Sequence, residues 1–314
     1  MATDRQPLGY PPMRSMILAA GLGTRLRPLT DTIPKALVEL NGRTLLEITI
    51  ERLKSFGVTE FIINVHHHAQ KVADFLQSRN NFGVRIELSR EDDLLLDTGG
   101  GLNKAAWFFL EGNSSEPFFL HNVDVLSSID LHQMLTAHKN SSALATLAVQ
   151  QRKSSRQLLF DQNNRLIGRR IGTLDTVVNR RGADDAAPNS CHSESAAADS
   201  ESAFSSSSPL ASGSVGTPAC DSFSQSQIYP ASNPPAAKAD LHPLAFSGIH
   251  VLSPRLLPLI SESGVFSIID TYLRLAASGE KISAFRADHF YWRDLGRLED
   301  LSAASVDLQQ GTTR

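Results

Sequence analysis

At 314 residues the chain has room for one large α/β domain or two small ones, and its 41% hydrophobic residues supply a sizeable core. A net charge of −3 gives no general attraction to nucleic acid or an anionic membrane, so any grip on phosphates must be local. The two cysteines, Cys191 and Cys220, lie in a Ser-rich stretch and support neither a disulfide framework nor a cysteine metal site.

Met16-Ile17-Leu18-Ala19-Ala20, stopped by Gly21, reads as a buried strand. Thr44 is placed to cap a helix whose positions Leu45, Leu46, Thr49, Leu53 and Phe56 recur at helical spacing, with Gly57 ending it. A second apolar strand at 61–65 is followed by a helix near 69–78, an alternating strand at 84–88, a helix from about Gly101 to Leu110 and a strand at 117–121. Apolar strands alternating with amphipathic helices imply βαβ units and a parallel sheet covered on both faces. In such sheets ligands bind at the carboxyl ends of strands, which points to 21–35, 97–101 and 122–126. Further strands are expected at 143–149, 157–160 and 166–171. From about 182 to 240 the composition shifts to Ser, Ala, Pro and Asp without a hydrophobic period. Such a segment cannot offset its ordering entropy, so it is expected to be a disordered insertion rather than a domain boundary. Order is expected to resume at 244–252, followed by a helix at 267–277, a strand at 282–285 and a final helix from about Leu298.

Four clusters carry chemistry. The run Gly21-Leu22-Gly23-Thr24-Arg25, followed by Pro34-Lys35, puts a glycine loop after a strand, where backbone N–H groups can cradle an anion. Arg25 and Lys35 add charge where phosphates would sit. Leu26 stands where a dinucleotide fingerprint wants a third glycine, and no Walker Gly-Lys-Ser/Thr is present. Asp97-Thr98-Gly99-Gly100-Gly101 offers glycines for close approach to a flat ligand. Asp124, after the strand ending at His121, is a carboxylate at a strand's carboxyl end, suited to a hard cation. Asp294 lies in Tyr291-Trp292-Arg293-Asp294-Leu295-Gly296; by itself it also reads as an ion-pair partner or a cap. His66-His67-His68 is read as structural or sugar-contacting, because adjacent strand side chains face opposite ways and cannot converge on one ion.

These motifs resemble the sugar-phosphate nucleotidylyltransferase family, over essentially the whole of the chain expected to be ordered. The resemblance implies a Rossmann-like, three-layer α/β fold with a mixed, mostly parallel sheet, formed by a single domain at 14–314 behind a flexible tail at 1–13. It implies that Leu18, Ala20, Gly21, Gly23, Thr24, Arg25, Asp97, Thr98, Gly99 and Gly100 hold the nucleotide. Arg25, Lys35, Asp124 and Asp294 are the implied catalytic set, with Mg²⁺ on Asp124 and Asp294. The implied partners are a nucleoside triphosphate, UTP or GTP, and a sugar 1-phosphate. The triple glycine is similar to the branch that includes N-acetylmuramate-1-phosphate uridylyltransferase; GTP with a mannose or heptose 1-phosphate is the second choice. The family's Glu-Lys-Pro for the sugar phosphate is missing, which leaves Arg169 or Arg170 as replacements, while Gly248 in Phe246-Ser247-Gly248-Ile249 is expected to leave room for the sugar ring.

Two readings from other classes stay open: an NAD-dependent oxidoreductase, opposed by Leu26 and by the Lys35/Asp124/Asp294 set, and a non-catalytic nucleotide-sugar sensor. Residues 1–15 lack the apolar core of a signal peptide, and no run approaches the ~18 apolar residues of a membrane span. A soluble cytoplasmic protein is therefore expected. Oligomeric state is not legible.

Overall fold

The computed structural model describes residues 13–113, 115–177 and 241–312. The first apolar run forms β1 (Met13–Leu18). Short 3₁₀ turns at Thr24–Leu26, Leu29–Asp31 and Lys35–Leu37 follow, then the two-residue strands β2 (Glu39–Leu40) and β3 (Arg43–Thr44). Helix α1 (Leu45–Ser55) begins where the Thr44 hydroxyl accepts the Glu47 N–H at 3.1 Å, and Gly57 (φ 89°) turns the chain into β4 (Val58–Val65). Helix α2 (Ala69–Ser78) leads to β5 (Arg85–Arg90), and α3 (Asp97–Lys104) and α4 (Ala106–Leu110) lead to β6 (Phe118–Asn122). Next come β7 (Val125–Ser127), α5 (Leu131–Ser141), β8 (Ala145–Gln150), β9 (Arg156–Phe160), β10 (Leu166–Ile171) and β11 (Leu174–Val177). The chain finishes with β12 (His242–Leu252), α6 (Ile268–Ala277), β13 (Ile282–Arg286), β14 (Trp292–Asp294) and α7 (Leu298–Gln309).

Ten strands form one sheet in the order β11-β10-β9-β12-β6-β1-β4-β5, with β8 and β13 continuing from β12. The pairs β1–β4, β1–β6, β4–β5 and β8–β13 are parallel, whereas β12 runs against β6, β8 and β9, and β10 runs against β9 and β11. Only β10 and β12 thus oppose the common direction, which is the mixed, mostly parallel sheet expected. Both faces are covered. Ile17 of β1 joins a core with α1, α2 and α5, while Met16 joins a second core with α3, α4 and α6. Alternate residues of one strand therefore feed opposite layers, as the period of two requires. The described residues cluster as one unit. The expected insertion at 182–240 and nearly all of the expected tail at 1–13 lie outside them.

Several details differ from the sequence reading, among them the short strands β2, β3, β7, β11 and β14, which were not expected. The helix expected from Gly101 begins four residues earlier, at Asp97, and breaks at Ala105. Helix α5 was not expected. His138 occupies a buried position on its inner face, hydrogen-bonded to Thr146 Oγ1 at 2.9 Å, and that polar residue interrupts the apolar period.

Candidate active site

Leu18, Asn64 and Asn122 stand side by side in register at the carboxyl ends of β1, β4 and β6. All three line a cleft of about 400 Å³. This is the strand-end position that parallel sheets offer to ligands. The Ala19 N–H donates to Asn64 Oδ1 at 2.8 Å, Asn64 Nδ2 donates to Glu91 Oε1 at 2.7 Å, and Glu91 Oε2 accepts the Leu96 N–H at 2.8 Å. Glu91 is only 1% exposed, yet each of its oxygens has a donor. A buried carboxylate held in this way fixes the loop after β1 against the loop that leads into α3.

Gly21 lines the cleft, and nothing lies within 4 Å of the place a Cβ would occupy, so its backbone faces open space. Gly23 is different. It sits at φ 64° with Thr30 and Lys35 against it, and its carbonyl accepts the Thr30 hydroxyl at 2.8 Å and the Leu26 N–H at 2.8 Å. Gly23 therefore shapes the turn, and neither it nor Thr24 is among the residues lining this cleft. Pro34 delivers Lys35 into the next short turn, where its ammonium pairs with Asp124 Oδ2. Both side chains are mostly buried, at 12% and 14% exposure, and both line the cleft with Leu18, Ala20, Asp97 and Thr98.

Gly99 and Gly100 require a correction. They do not line the cleft. A Cβ on Gly99 would lie 2.3 Å from the Phe266 ring, and one on Gly100 would lie 2.3 Å from the Gly264 carbonyl oxygen. Their N–H groups are also used: both donate to the Phe266 carbonyl, at 2.9 and 3.3 Å. The side-chain space beside these glycines is taken by the chain's own segment 264–268. That segment is stitched down further by the Ile268 N–H on Thr98 Oγ1 at 3.0 Å, and its Val265 lines the cleft together with Leu95.

A second, larger basin of about 1030 Å³ adjoins the first, and Asn122 lines both. Arg25 and Asp294 lie here rather than beside Lys35. An Arg25 guanidinium nitrogen and Asp294 Oδ1 would lie 2.5 and 2.6 Å from a Cβ on Gly296, so a glycine is needed where the two groups meet. Asp294 Oδ1 also accepts the Gly296 N–H at 2.6 Å. The metal-binding pair expected from the sequence is adjacent in the backbone: Asp294 pairs with Val125 in the β7–β14 ladder, and the Leu295 N–H donates to the Asp124 carbonyl at 2.8 Å. Asp124 faces the first cleft, paired with Lys35, and Asp294 faces the basin, so these backbone neighbours present their carboxylates to two adjoining spaces.

Arg169 and Arg170 reach the basin's rim, but each is engaged. Arg169 Nη1 lies 2.6 Å from Asp270 Oδ1, and Arg170 makes a two-pronged pair with Asp175 at 2.6 and 2.9 Å. Gly248 lines the basin at φ 74°, but the Asn122 amide and Val125 fill the space beside it. The positive φ at the β12 bulge and the close contact with Asn122 and Val125 both call for a glycine here. The motif reading passed over Arg152, Lys153 and Arg156, which line the same basin. Their signal in the sequence is the basic run Arg152-Lys153-Ser154-Ser155-Arg156, directly after an apolar strand.

Buried histidines underlie the site. Wholly buried His121, one residue before Asn122, has its pKa pushed down to about 4, first by burial and then by the Arg52 charge. His250 in the adjacent strand is pushed down to about 3 by burial and by His121, and its Nδ1 meets the Tyr272 hydroxyl at 2.8 Å. His66 Nδ1 is 2.5 Å from the Glu91 carbonyl, and His68 (φ 58°) precedes α2. Among the described residues no cluster of three or more His, Cys, Asp or Glu converges on a metal position.

Residues 14–158 match the family described as nucleotidyl transferase. N-acetylmuramate alpha-1-phosphate uridylyltransferase of Caulobacter vibrioides is 43% identical over 115 residues, which are 36% of this chain and 46% of that protein. Mannose-1-phosphate guanylyltransferase 1 of Arabidopsis thaliana is 37% identical over 138 residues, 44% of this chain and 38% of that protein. The match therefore spans less than half the length of these relatives. The crystal structure of HddC from Yersinia pseudotuberculosis complexed with GMP-PN superposes with a TM-score of 0.60 at 18% identity, covering 94% of this chain and 99% of that one. The fold of the described residues is thus shared with that structure. Residues 14–158 are thus similar to nucleotidyl transferases, while the solved structures share only the fold.

Proposed function

We propose that the protein joins a nucleoside triphosphate to a sugar 1-phosphate, forming an NDP-sugar and releasing pyrophosphate. The observation that carries this reading is the Lys35–Asp124 pair facing the open Gly21 turn at the strand ends, beside a second basin rich in cations. The two clefts meet at Asn122, which suits two anionic substrates brought together at one reacting centre.

In this reading the 400 Å³ cleft takes the triphosphate. Gly21 offers its backbone to the phosphates, and Leu95 and Val265 offer apolar walls to the base. Lys35 is held by Asp124 in a mostly buried position, so its charge is oriented before substrate arrives and costs little to reorganise. Arg25, beside Asp294, offsets charge on the other side of the centre. Asp124 and Asp294 would hold Mg²⁺, which supplies charge neutralisation to the phosphate oxygens when bound. The nucleophile, a phosphate oxygen, is already ionised at neutral pH, so the protein need only position two anions and screen their repulsion. A general base has no part to play.

The substrate pair we put first is UTP with N-acetylmuramate 1-phosphate; GTP with a mannose or heptose 1-phosphate comes second. Relatives named for the first pair and for mannose-1-phosphate guanylyltransferase both match. We place the protein in the cytoplasm; among the described residues no helix is long and apolar enough to cross a membrane. Pyrophosphate release with Mg²⁺, measured over four nucleoside triphosphates and several sugar 1-phosphates, tests the proposal. One strong pair is expected. No release from any pair, with nucleotide still bound, would replace the enzyme by a nucleotide-sugar sensor.

A further inference from the structure

The larger basin is lined by eight Arg and Lys side chains against two carboxylates, in a chain whose net charge is −3. These cations are not equivalent. Arg169, Arg170 and Arg293 are neutralised by Asp270, Asp175 and Asp307. Arg25 is packed against Gly296 and Asp294. Lys153, Arg156 and Arg297 form no ion pair with the described residues.

Arg152 is the cation most firmly positioned. Its guanidinium carbon lies 3.7 Å from the centre of the Trp292 ring, and its Nη2 donates to the Phe246 carbonyl at 2.7 Å. Trp292 is itself fixed by its Nε1–H on the Ser247 carbonyl at 2.8 Å. The bulge in β12, where the pairing with β8 slips between Phe246 and His250, leaves both carbonyls to these side chains. Burial lowers the Arg152 pKa and the nearby Asp294 charge raises it. The result is a half-buried planar cation whose orientation is set by a stacked ring; Nε is buried without a partner among the described residues and Nη2 holds the Phe246 carbonyl, which leaves Nη1 as the nitrogen for a phosphate oxygen.

We propose that Arg152, assisted by Lys153 and Arg156, grips the phosphate of the sugar 1-phosphate, in place of Arg169 and Arg170. Arg152 supplies direction, and the two exposed cations supply the remaining charge for a dianion. This assignment rests on the nucleotidylyltransferase reading for its substrate. The site itself is a phosphomonoester site whichever sugar carries the group.

The test has two readouts. The chain has two tryptophans, so W107F leaves Trp292 as the sole reporter, and Trp107 is half exposed. Inorganic phosphate is titrated into the W107F protein, with Trp292 emission and calorimetry followed together. Binding is expected, weakened about 10- to 100-fold by R152M, less by the paired exposed changes K153Q/R156Q, and within twofold of the parent in R169Q/R170Q. In turnover, R152M is expected to raise KM for the sugar 1-phosphate by a similar factor while KM for the triphosphate holds, with R152K recovering part of the loss. Equal phosphate affinity in R152M and its parent, no phosphate binding to the parent, or loss concentrated in R169Q/R170Q would overturn the assignment. Phosphate binding that depends on Arg152 in a protein without turnover would keep the site and remove the enzyme reading.

Discussion

Replacing Asp124 by Asn separates charge from shape at the centre of the proposed site. The side chains of Lys35 and Asp124 are 12% and 14% exposed, so their pairing is screened by water less than a surface ion pair. Breaking a fully buried pair costs about 3–5 kcal/mol. This pair opens on a cleft that can admit water to the stranded ammonium, so the stability loss is expected to be about 1–2 kcal/mol, which leaves a folded protein. Turnover should suffer more. The amide cannot hold a divalent ion as a carboxylate does and leaves Lys35 free to swing. Loss of one transition-state charge partner corresponds to roughly 10²-fold in kcat, about 2.7 kcal/mol. The assay is steady-state pyrophosphate release against Mg²⁺ concentration, alongside urea unfolding of the same preparation. Near-normal, Mg²⁺-dependent kcat in a folded D124N protein would refute the role given to Asp124.

Other expectations can be checked with single variants. G100A places a methyl against the Gly264 carbonyl, which cannot rotate away, and should cost about 1–3 kcal/mol in urea unfolding; G21A meets nothing within 4 Å and should change stability by less than about 0.5 kcal/mol while raising KM for the triphosphate. E91Q must turn an amide N–H toward either Asn64 Nδ2 or the Leu96 N–H, so about 1–3 kcal/mol of stability should be lost. His250, at about 3, lies well below the ordinary histidine pKa. The unfolded chain therefore takes up a proton that the folded chain refuses as pH drops below about 6.5, and stability falls by up to about 1.4 kcal/mol per pH unit for this group. H250Q should remove that part of the slope between pH 6 and 5, and an unaltered slope would assign it to other groups.

The sheet was legible because β1, β4 and β6 each carry a short apolar run, at 16–18, 61–63 and 118–120, of the kind a strand buried on both faces uses. Helix α1 was legible from its Thr44 cap and its apolar spacing. Helix α5 was not, because His138 stands where an apolar residue would mark the period. The segments to which the strand-end rule points include Gly21, Lys35, Asp97 and Asp124, which line the smaller cleft. What a sequence cannot say is what a glycine makes room for. The room beside Gly99 and Gly100 is taken by Phe266 and Gly264, more than 160 positions along the chain. The room beside Gly248 is taken by Asn122. Arginines posed the same difficulty: Arg170 and Arg152 look alike as letters, but one faces Asp175 and the other lies on Trp292.

The central claim is attack on the α-phosphorus of the triphosphate by a sugar-phosphate oxygen, and label transfer tests it most directly. With the active substrate pair and Mg²⁺, label from the α-phosphate of the triphosphate should appear in the NDP-sugar. Label from the γ-phosphate should leave as pyrophosphate, and K35M should suppress both. Transfer of the γ-label to the sugar, or α-label released only as free nucleotide, would contradict the account.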